Sequence, residues 1–183
     1  MEQVEPNIEF KEKIEEFVEG ELPWNKLLAL STAVMAVITA IVSSYAGGYS
    51  SEAFLQKNNA IYYKSQASDQ WSYYEAKSIK QNLAADFYET TKNVKLRQAA
   101  ARYAQEEEEI KKVALEDEHL ADEANKESAQ ALAKHETMGL GALFGQISIA
   151  LSAMAALLEQ KLLWLVSLAL GVATIVTFVI ALL

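Results

Sequence analysis

Three stretches of this chain contain no charged residue, and each is long enough to cross a bilayer: Leu27 to Ser51, Thr137 to Leu158, and Leu162 to Leu183. A hydrocarbon core about 30 Å thick needs roughly 20 mostly apolar residues in helical form. A helix also satisfies its own backbone where no water can. The pattern predicts an integral, all-α membrane protein with three transmembrane helices. The remaining residues are strongly polar, so averages over the whole chain conceal the division.

The charge is unevenly placed. Residues 1–26 carry eight acids against three lysines, residues 52–136 sixteen acids against twelve bases, and residues 137–183 only Glu159 and Lys161. An acidic balance argues against a nucleic-acid partner, whose backbone demands Lys and Arg. There is no cysteine, which excludes disulfides, thiolate metal sites and cysteine nucleophiles. The first apolar run follows an acidic segment and is too long for the apolar core of a cleaved signal peptide.

Glycine and proline punctuate the ends and are missing from the middle. No Pro follows Pro23, and no Gly lies between Gly48 and Gly139. Such a run, rich in Ala, Glu, Lys and Gln, reads as long helix. Its best interruption is Thr90-Thr91-Lys92-Asn93, a polar cluster of poor helix formers. Because the cluster divides the polar region almost evenly, the expected form is a long antiparallel, coiled-coil-like helical hairpin between the first and second spans. The segments are an acidic amphipathic helix in 1–22, a span in 23–50, the extramembrane hairpin in 51–136 with its turn near 90–93, a span in 137–158, and a tight turn and third span in 159–183. Within the first of these, Pro6 to Gly20 is the helix proper, with Phe10, Ile14, Phe17 and Val18 as its apolar face.

Two seams are expected in the hairpin. On the first arm Ile61, Ser65, Ser68, Ser72, Ala76, Ile79, Leu83 and Phe87 follow a three-four spacing. The stripe extends back through Ala29, Ala33, Ala36, Ala40, Ser43 and Gly47, so Asn25 to about Thr90 reads as one helix. On the second arm Leu96, Tyr103, Ile110, Asp117, Ala124, Ala131 and Met138 recur every seven residues, with Ala100, Ala114, Ala121 and Ser128 beside them. Seven-residue spacing signals left-handed coiled packing. Seams this rich in Ala and Ser bury little apolar area, which predicts assembly of several copies. On that reading Tyr63, Trp71 and Tyr74 point away from the Ile61–Ile79 stripe, and exposed aromatics in such number predict a partner surface.

In the spans the strongly polar side chain is Gln146, whose common use is a hydrogen bond between helices and whose alternative use is lining a pore. Gly141 and Gly145 form a GxxxG pattern continued by Ser148, Ser152 and Ala155, a small face suited to helix packing. Gly141, Gly145, Gln146, Ser148 and Ser152 are therefore the predicted helix-packing residues. Spans without charge do not suit a coupled transporter or proton pump.

Other constellations are weaker. Glu116 and His119 form a Glu-x-x-His pair of the kind used in di-iron bundles, and a turn near residue 92 brings Asp69 opposite Leu115, within a turn of both. One such pair per chain is not a site, so no metal and no cofactor is expected. Glu107–Lys111 and Glu108–Lys112 read as i, i+4 pairs on a wet helix face. His135, at the membrane entry, reads as a packing residue. No nucleophile–base set or phosphate loop supports enzymatic activity. Lys26 and Lys161 flank the spans directly, Trp24 and Trp164 sit as anchors on that side, and Tyr45 and Tyr49 on the other. The bias places the N-terminus in the cytoplasm and the hairpin in the periplasm.

The run from Gln66 to Lys80, with its ASDQW-x-YY-x-AK-SIK pattern, resembles the signature of an uncharacterised bacterial membrane-protein family. The resemblance covers about residues 25–183 and implies a bacterial inner-membrane location, with no activity. It marks Asp69, Trp71, Tyr73, Tyr74, Lys77 and Lys80 as a protein-interaction surface. Together these readings predict a membrane-anchored scaffold that forms a homo-oligomer and binds protein through its hairpin. Its partners are lipid, its own copies and another membrane protein. The alternative is a passive oligomeric channel or membrane sensor with a pore formed by the spans.

Overall fold

The computed structural model describes residues 24–183; the expected helix within 1–22 lies outside them. The described chain is all-helical: α1 runs Trp24–Thr91, α2 runs Val94–Leu158, and α3 runs Lys161–Leu182. Each contains a segment long and apolar enough to cross a membrane.

The helix ends lie where local chemistry opposes continuation. α1 ends at the polar cluster, where Thr90 and Thr91 hydroxyls donate back to the carbonyls of Asp86 and Phe87. Lys92 then turns the chain at φ 52°, a left-handed conformation that helix ends commonly adopt. Asn93 starts α2 as its N-cap, its Oδ1 accepting from the Lys95 N–H at 3.0 Å. Between α2 and α3, Glu159 takes the same left-handed conformation at φ 51°. The Gln160 N–H donates back to the Ala155 carbonyl at 3.2 Å.

The chain divides into two compact units. The first comprises residues 24–46 and 136–183. Leu28, Met35, Val42 and Ala46 of α1 and Met138 and Ala142 of α2 are buried there, spaced by sevens and fours. Its buried polar side chains, Thr39, Ser148, Ser152, Ser167 and Thr174, are all uncharged. Its outside is a continuous run of large aliphatics, including Leu30, Val37, Leu143, Leu157, Val172 and Val176.

The second unit is Gly47–His135. Its contacts advance along α1 as they retreat along α2, which makes the pairing antiparallel. The Ser128 hydroxyl donates to the Ala53 carbonyl at 2.8 Å, Lys57 to Asn125 at 2.9 Å, and Lys64 to Glu118 at 3.1 Å, while Lys77 pairs with Glu106. The buried positions are mostly alanines: Ala53, Ala60, Ala67 and Ala84 on α1, and Ala114, Ala121, Ala124 and Ala131 with Ile110 and Ser128 on α2.

The α2 stripe is the one expected, but the α1 seam is not. Ile61 and Ile79 are each 61% exposed, and Leu83 and Phe87 also stand in the open. Ser65, Ser68, Ser72 and Ala76 are exposed with them, as are Ala29, Ala33, Ala36, Ala40, Ser43 and Gly47 further back. The face turned inward instead carries Ala53, Ala60 and Ala67 at seven-residue intervals, with Tyr63 and Tyr74 half-buried. An alanine seam wins because a side chain ending at Cβ lets the two backbones approach. The larger Ile and Leu side chains would hold them apart.

Candidate interaction surfaces

Two sets of residues carry the chemistry of this molecule, one in each unit. In the second unit the most developed polar arrangement surrounds Lys77. Its side chain is only 13% exposed and pairs with Glu106. The ammonium also lies 5.0 Å from the Tyr73 ring centre and 5.5 Å from that of Tyr103. Arg102 closes the group, its Nε 3.5 Å from Glu106 and its guanidinium 5.1 Å from the Tyr103 ring. The Glu106 hydrogen bond, with a smaller contribution from Tyr73, holds the Lys77 ammonium above the usual lysine range. The same bond, with the charges of Lys77 and Arg102 adding to it, holds the Glu106 carboxyl below the usual carboxylate range. Two aromatic rings flanking a paired ammonium make a structural clasp between α1 and α2.

The six residues of the sequence motif therefore divide. Lys77 is engaged within the chain. Trp71 and Tyr74 are half-buried and meet edge to face with ring centres 5.5 Å apart. Asp69, Tyr73 and Lys80 are exposed. The outward face of α1 is a different set: Phe54, Ile61, Ser65, Ser68, Ser72, Ala76, Ile79 and Leu83. It carries no charge at any of these positions, and it lies opposite the alanine seam at helical periodicity.

The pairs expected at Glu107–Lys111 and Glu108–Lys112 are replaced by others. Glu107 is buried at 7% exposure, and Glu106 makes the contacts described above. His119 lies 3.7 Å from Glu123, one turn along the same helix. Among the described residues no three His, Asp or Glu side chains converge on a point that could hold a metal. His135 is half-buried.

In the first unit the small residues of α2 meet two different helices. A methyl placed on Gly141 would strike the Thr177 side chain of α3, with Thr177 Cβ at 3.3 Å. One placed on Gly145 would strike Thr39 of α1, with Cγ2 at 2.9 Å. The GxxxG pattern thus packs inside the chain, one glycine per neighbour. Ser148 donates to the Ser167 carbonyl at 2.6 Å, Ser152 Oγ lies 2.9 Å from Ser167 Oγ, and Ser167 donates to the Trp164 carbonyl. Gly171 of α3 lies against Met35 of α1 in the same manner. At one end of the unit Trp164 donates its indole N–H to Ser31 at 3.0 Å and meets Trp24 edge to face; Tyr45 and Phe178 form the matching aromatic pair further along.

Thr39, Ser167, Gly171 and Thr174 complete this packing and were not singled out from sequence. A Ser or Thr in an apolar run carries no signal of which way it faces until its neighbours are known. Gln146 is placed differently from these residues. It is exposed and makes no hydrogen bond to the rest of the described chain, so it is not part of the internal packing that Gly141, Gly145, Ser148 and Ser152 form.

Residues 24–183 match the model of a family described as a domain of unknown function, DUF4337. No curated protein and no solved structure matches the chain.

Proposed function

Since this chain belongs to the DUF4337 family, whose description carries no activity, we propose from its own residues that it is a multi-pass membrane scaffold. In this reading the first unit is a three-span bundle in the bacterial inner membrane, and the second is an extramembrane helical hairpin. The protein assembles with its own copies and holds another membrane protein through the hairpin. Lys26 and Lys161, next to the spans, support a cytoplasmic N-terminus and a periplasmic hairpin.

The distribution of polarity supports the membrane setting. The first unit has hydroxyls inside and bare aliphatics outside, the arrangement favoured when the solvent is lipid. The observation that carries the scaffold reading is the outward face of α1. A helix already packed along one side has no reason, in water, to keep Ile61, Ile79 and Leu83 exposed in line with Ser68 and Ser72. An uncharged stripe of that length is a second packing seam waiting for another helix. Asp69 and Lys80 lie along its edge as exposed charges suited to fixing register.

The test is the mass of the complex extracted into nanodiscs, measured by native mass spectrometry for the wild type and for Ile79→Glu. A discrete multimer that Ile79→Glu dissociates is the expected result. A wild type with the mass of a single chain and no bound protein would remove the scaffold reading.

A further inference from the structure

We propose that the outer stripe of α2 in the first unit is where a second copy of the chain packs, with Gln146 of each copy hydrogen-bonded to Gln146 of the other across a two-fold axis. This rests on the reading of the first unit as membrane-embedded. Gln146 lies near the middle of the uncharged run Thr137 to Leu158, exposed and without a hydrogen-bond partner among the described residues. A primary amide offers two donors and a carbonyl that accepts twice. In hydrocarbon no water answers them, and an unpaired polar group there is costly.

The residues around it are arranged for a helix rather than for lipid. Gly139, Gln146 and Ala153 recur every seven residues, as do Leu143, Ala150 and Leu157 on the same side. All are exposed except Gly139, which is half-buried and would meet nothing if it carried a methyl. Small side chains on either side of the amide allow a second backbone to come close enough for its hydrogen bonds. This stripe faces away from Gly141, Gly145, Ser148 and Ser152, which are already occupied within the chain.

A second copy is the occupant because the amide is its own complement. Two carboxamides related by a two-fold axis exchange one N–H···O bond in each direction, and an isologous contact brings like residue to like. The outward residues of α3, such as Val172, Val176, Val179 and Ile180, offer no such group. They suit acyl chains instead.

The native chain lacks cysteine, so single cysteines report cleanly. Ala153→Cys is placed on the stripe with the amide intact, and Val176→Cys on the outside of α3 as its control. Each full-length variant is oxidised in native membranes with copper phenanthroline. The expected result is a disulfide-linked dimer of the chain from Ala153→Cys, severalfold more than from Val176→Cys, which Gln146→Leu reduces severalfold and Gln146→Asn largely retains. Equal cross-linking at Val176, a cross-link to a different protein, or insensitivity to Gln146→Leu would overturn the proposal. So would labelling of Gln146→Cys by a membrane-impermeant maleimide, which would mark a water-lined pore. Alkaline carbonate extraction of the wild type separates the two levels of the argument. A chain released by carbonate ends the membrane reading itself, whereas a chain that resists extraction and fails to cross-link ends only this contact.

Discussion

The two units use small residues in opposite ways. In the second unit, Gly47–His135, small residues make the seam itself: alanines at 53, 60, 67, 114, 121, 124 and 131 bring two helices together, and charged groups such as Lys77 and Glu106 clasp the edge. In the first unit the seam also contains Leu28, Met35, Val42 and Met138, and beside Ala46, Ala142, Ala155 and Ala181 its small residues include glycines and hydroxyls seated at single points of close approach. The first unit buries the hydroxyls of Thr39, Ser148, Ser152, Ser167 and Thr174, whereas the second buries Glu107 and Ser128 and keeps most of its charges outside. A helix pair in water gains from covering even alanine methyls. A helix bundle in lipid gains nothing from covering methyls, and must rely on fit and hydrogen bonds. The contrast is what the proposed bilayer boundary would produce.

Glycine substitutions should break this comparison most strongly. Gly145→Ala places a methyl against Thr39, whose own hydroxyl is fixed by a 2.7 Å bond to the Met35 carbonyl. Overpacking of this kind costs about 1–3 kcal/mol, and Gly145→Leu should prevent the bundle from forming. Gly47→Ala and Gly48→Ala, in the second unit, meet nothing within 4 Å. They should stabilise α1 by roughly 0.5–1 kcal/mol each, the helix-propensity difference between Gly and Ala. Thermal unfolding of the nanodisc-embedded protein, followed by circular dichroism, reads both. Opposite signs are expected, and a neutral Gly145→Ala would show that the α1–α2 contact in the first unit is looser than described.

A smaller effect, confined to the second unit, should appear with pH. Glu106 is held below the usual carboxylate range chiefly by its bond to Lys77. Its contribution to stability is therefore complete above the unfolded carboxylate value, and is lost as pH falls through the depressed folded value. Lys77, held above the usual lysine range, contributes fully below the unfolded lysine value and loses its contribution only as pH rises through the raised one. Stability should be flat between those limits. Glu106→Gln should lower the melting temperature at neutral pH and flatten the acid limb. A wild-type acid limb that persists unchanged in Glu106→Gln would place the titrating carboxylate elsewhere.

How far the sequence reveals this structure depends on the region. The three long apolar helices follow from uncharged runs, because a helix with one face in water rarely goes roughly twenty residues without a charge. The resemblance to an uncharacterised family agrees with the family match over residues 24–183. The α2 stripe was legible because Ile110, Ala114, Ala121 and Ala124 keep one heptad pattern with little competition. The α1 seam was not, because Ile61, Ile79, Leu83 and Phe87 form the more hydrophobic of two periodic faces, and hydrophobicity favours the wrong one. The signal that would have corrected it was present. Ala53, Ala60 and Ala67 share the seven-residue interval of the alanines on α2, and matching an Ala seam to an Ala seam decides the pairing. The clasp around Lys77 was not legible for a related reason: a lysine reads as surface until Tyr73, Tyr103 and Glu106 are known to surround it. Gln146 shows the limit, since its residue type predicts that a partner exists and not on which side of the helix it stands.

The smallest effect concerns the two left-handed residues, one in each unit. Lys92 and Glu159 both adopt positive φ without being glycine, a conformation that crowds Cβ against the following carbonyl. Glycine removes that crowding, offset by the greater freedom it gives the unfolded chain. At Glu159 nothing else of note is lost, and Glu159→Gly should stabilise by a few tenths to about 1 kcal/mol. At Lys92 the side chain also contacts Glu89 at 2.7 Å and lies over the Tyr88 ring at 5.5 Å. That pair is exposed and weak, but its loss subtracts from the gain. Lys92→Gly should therefore stabilise less than Glu159→Gly, and the difference should shrink at high salt, where screening removes the exposed pair first. A larger gain at Lys92 would mean that the left-handed turn after α1 is more strained than the one after α2, despite nearly equal φ, and that the polar cluster ending α1 is set by backbone geometry more than by its hydroxyl bonds.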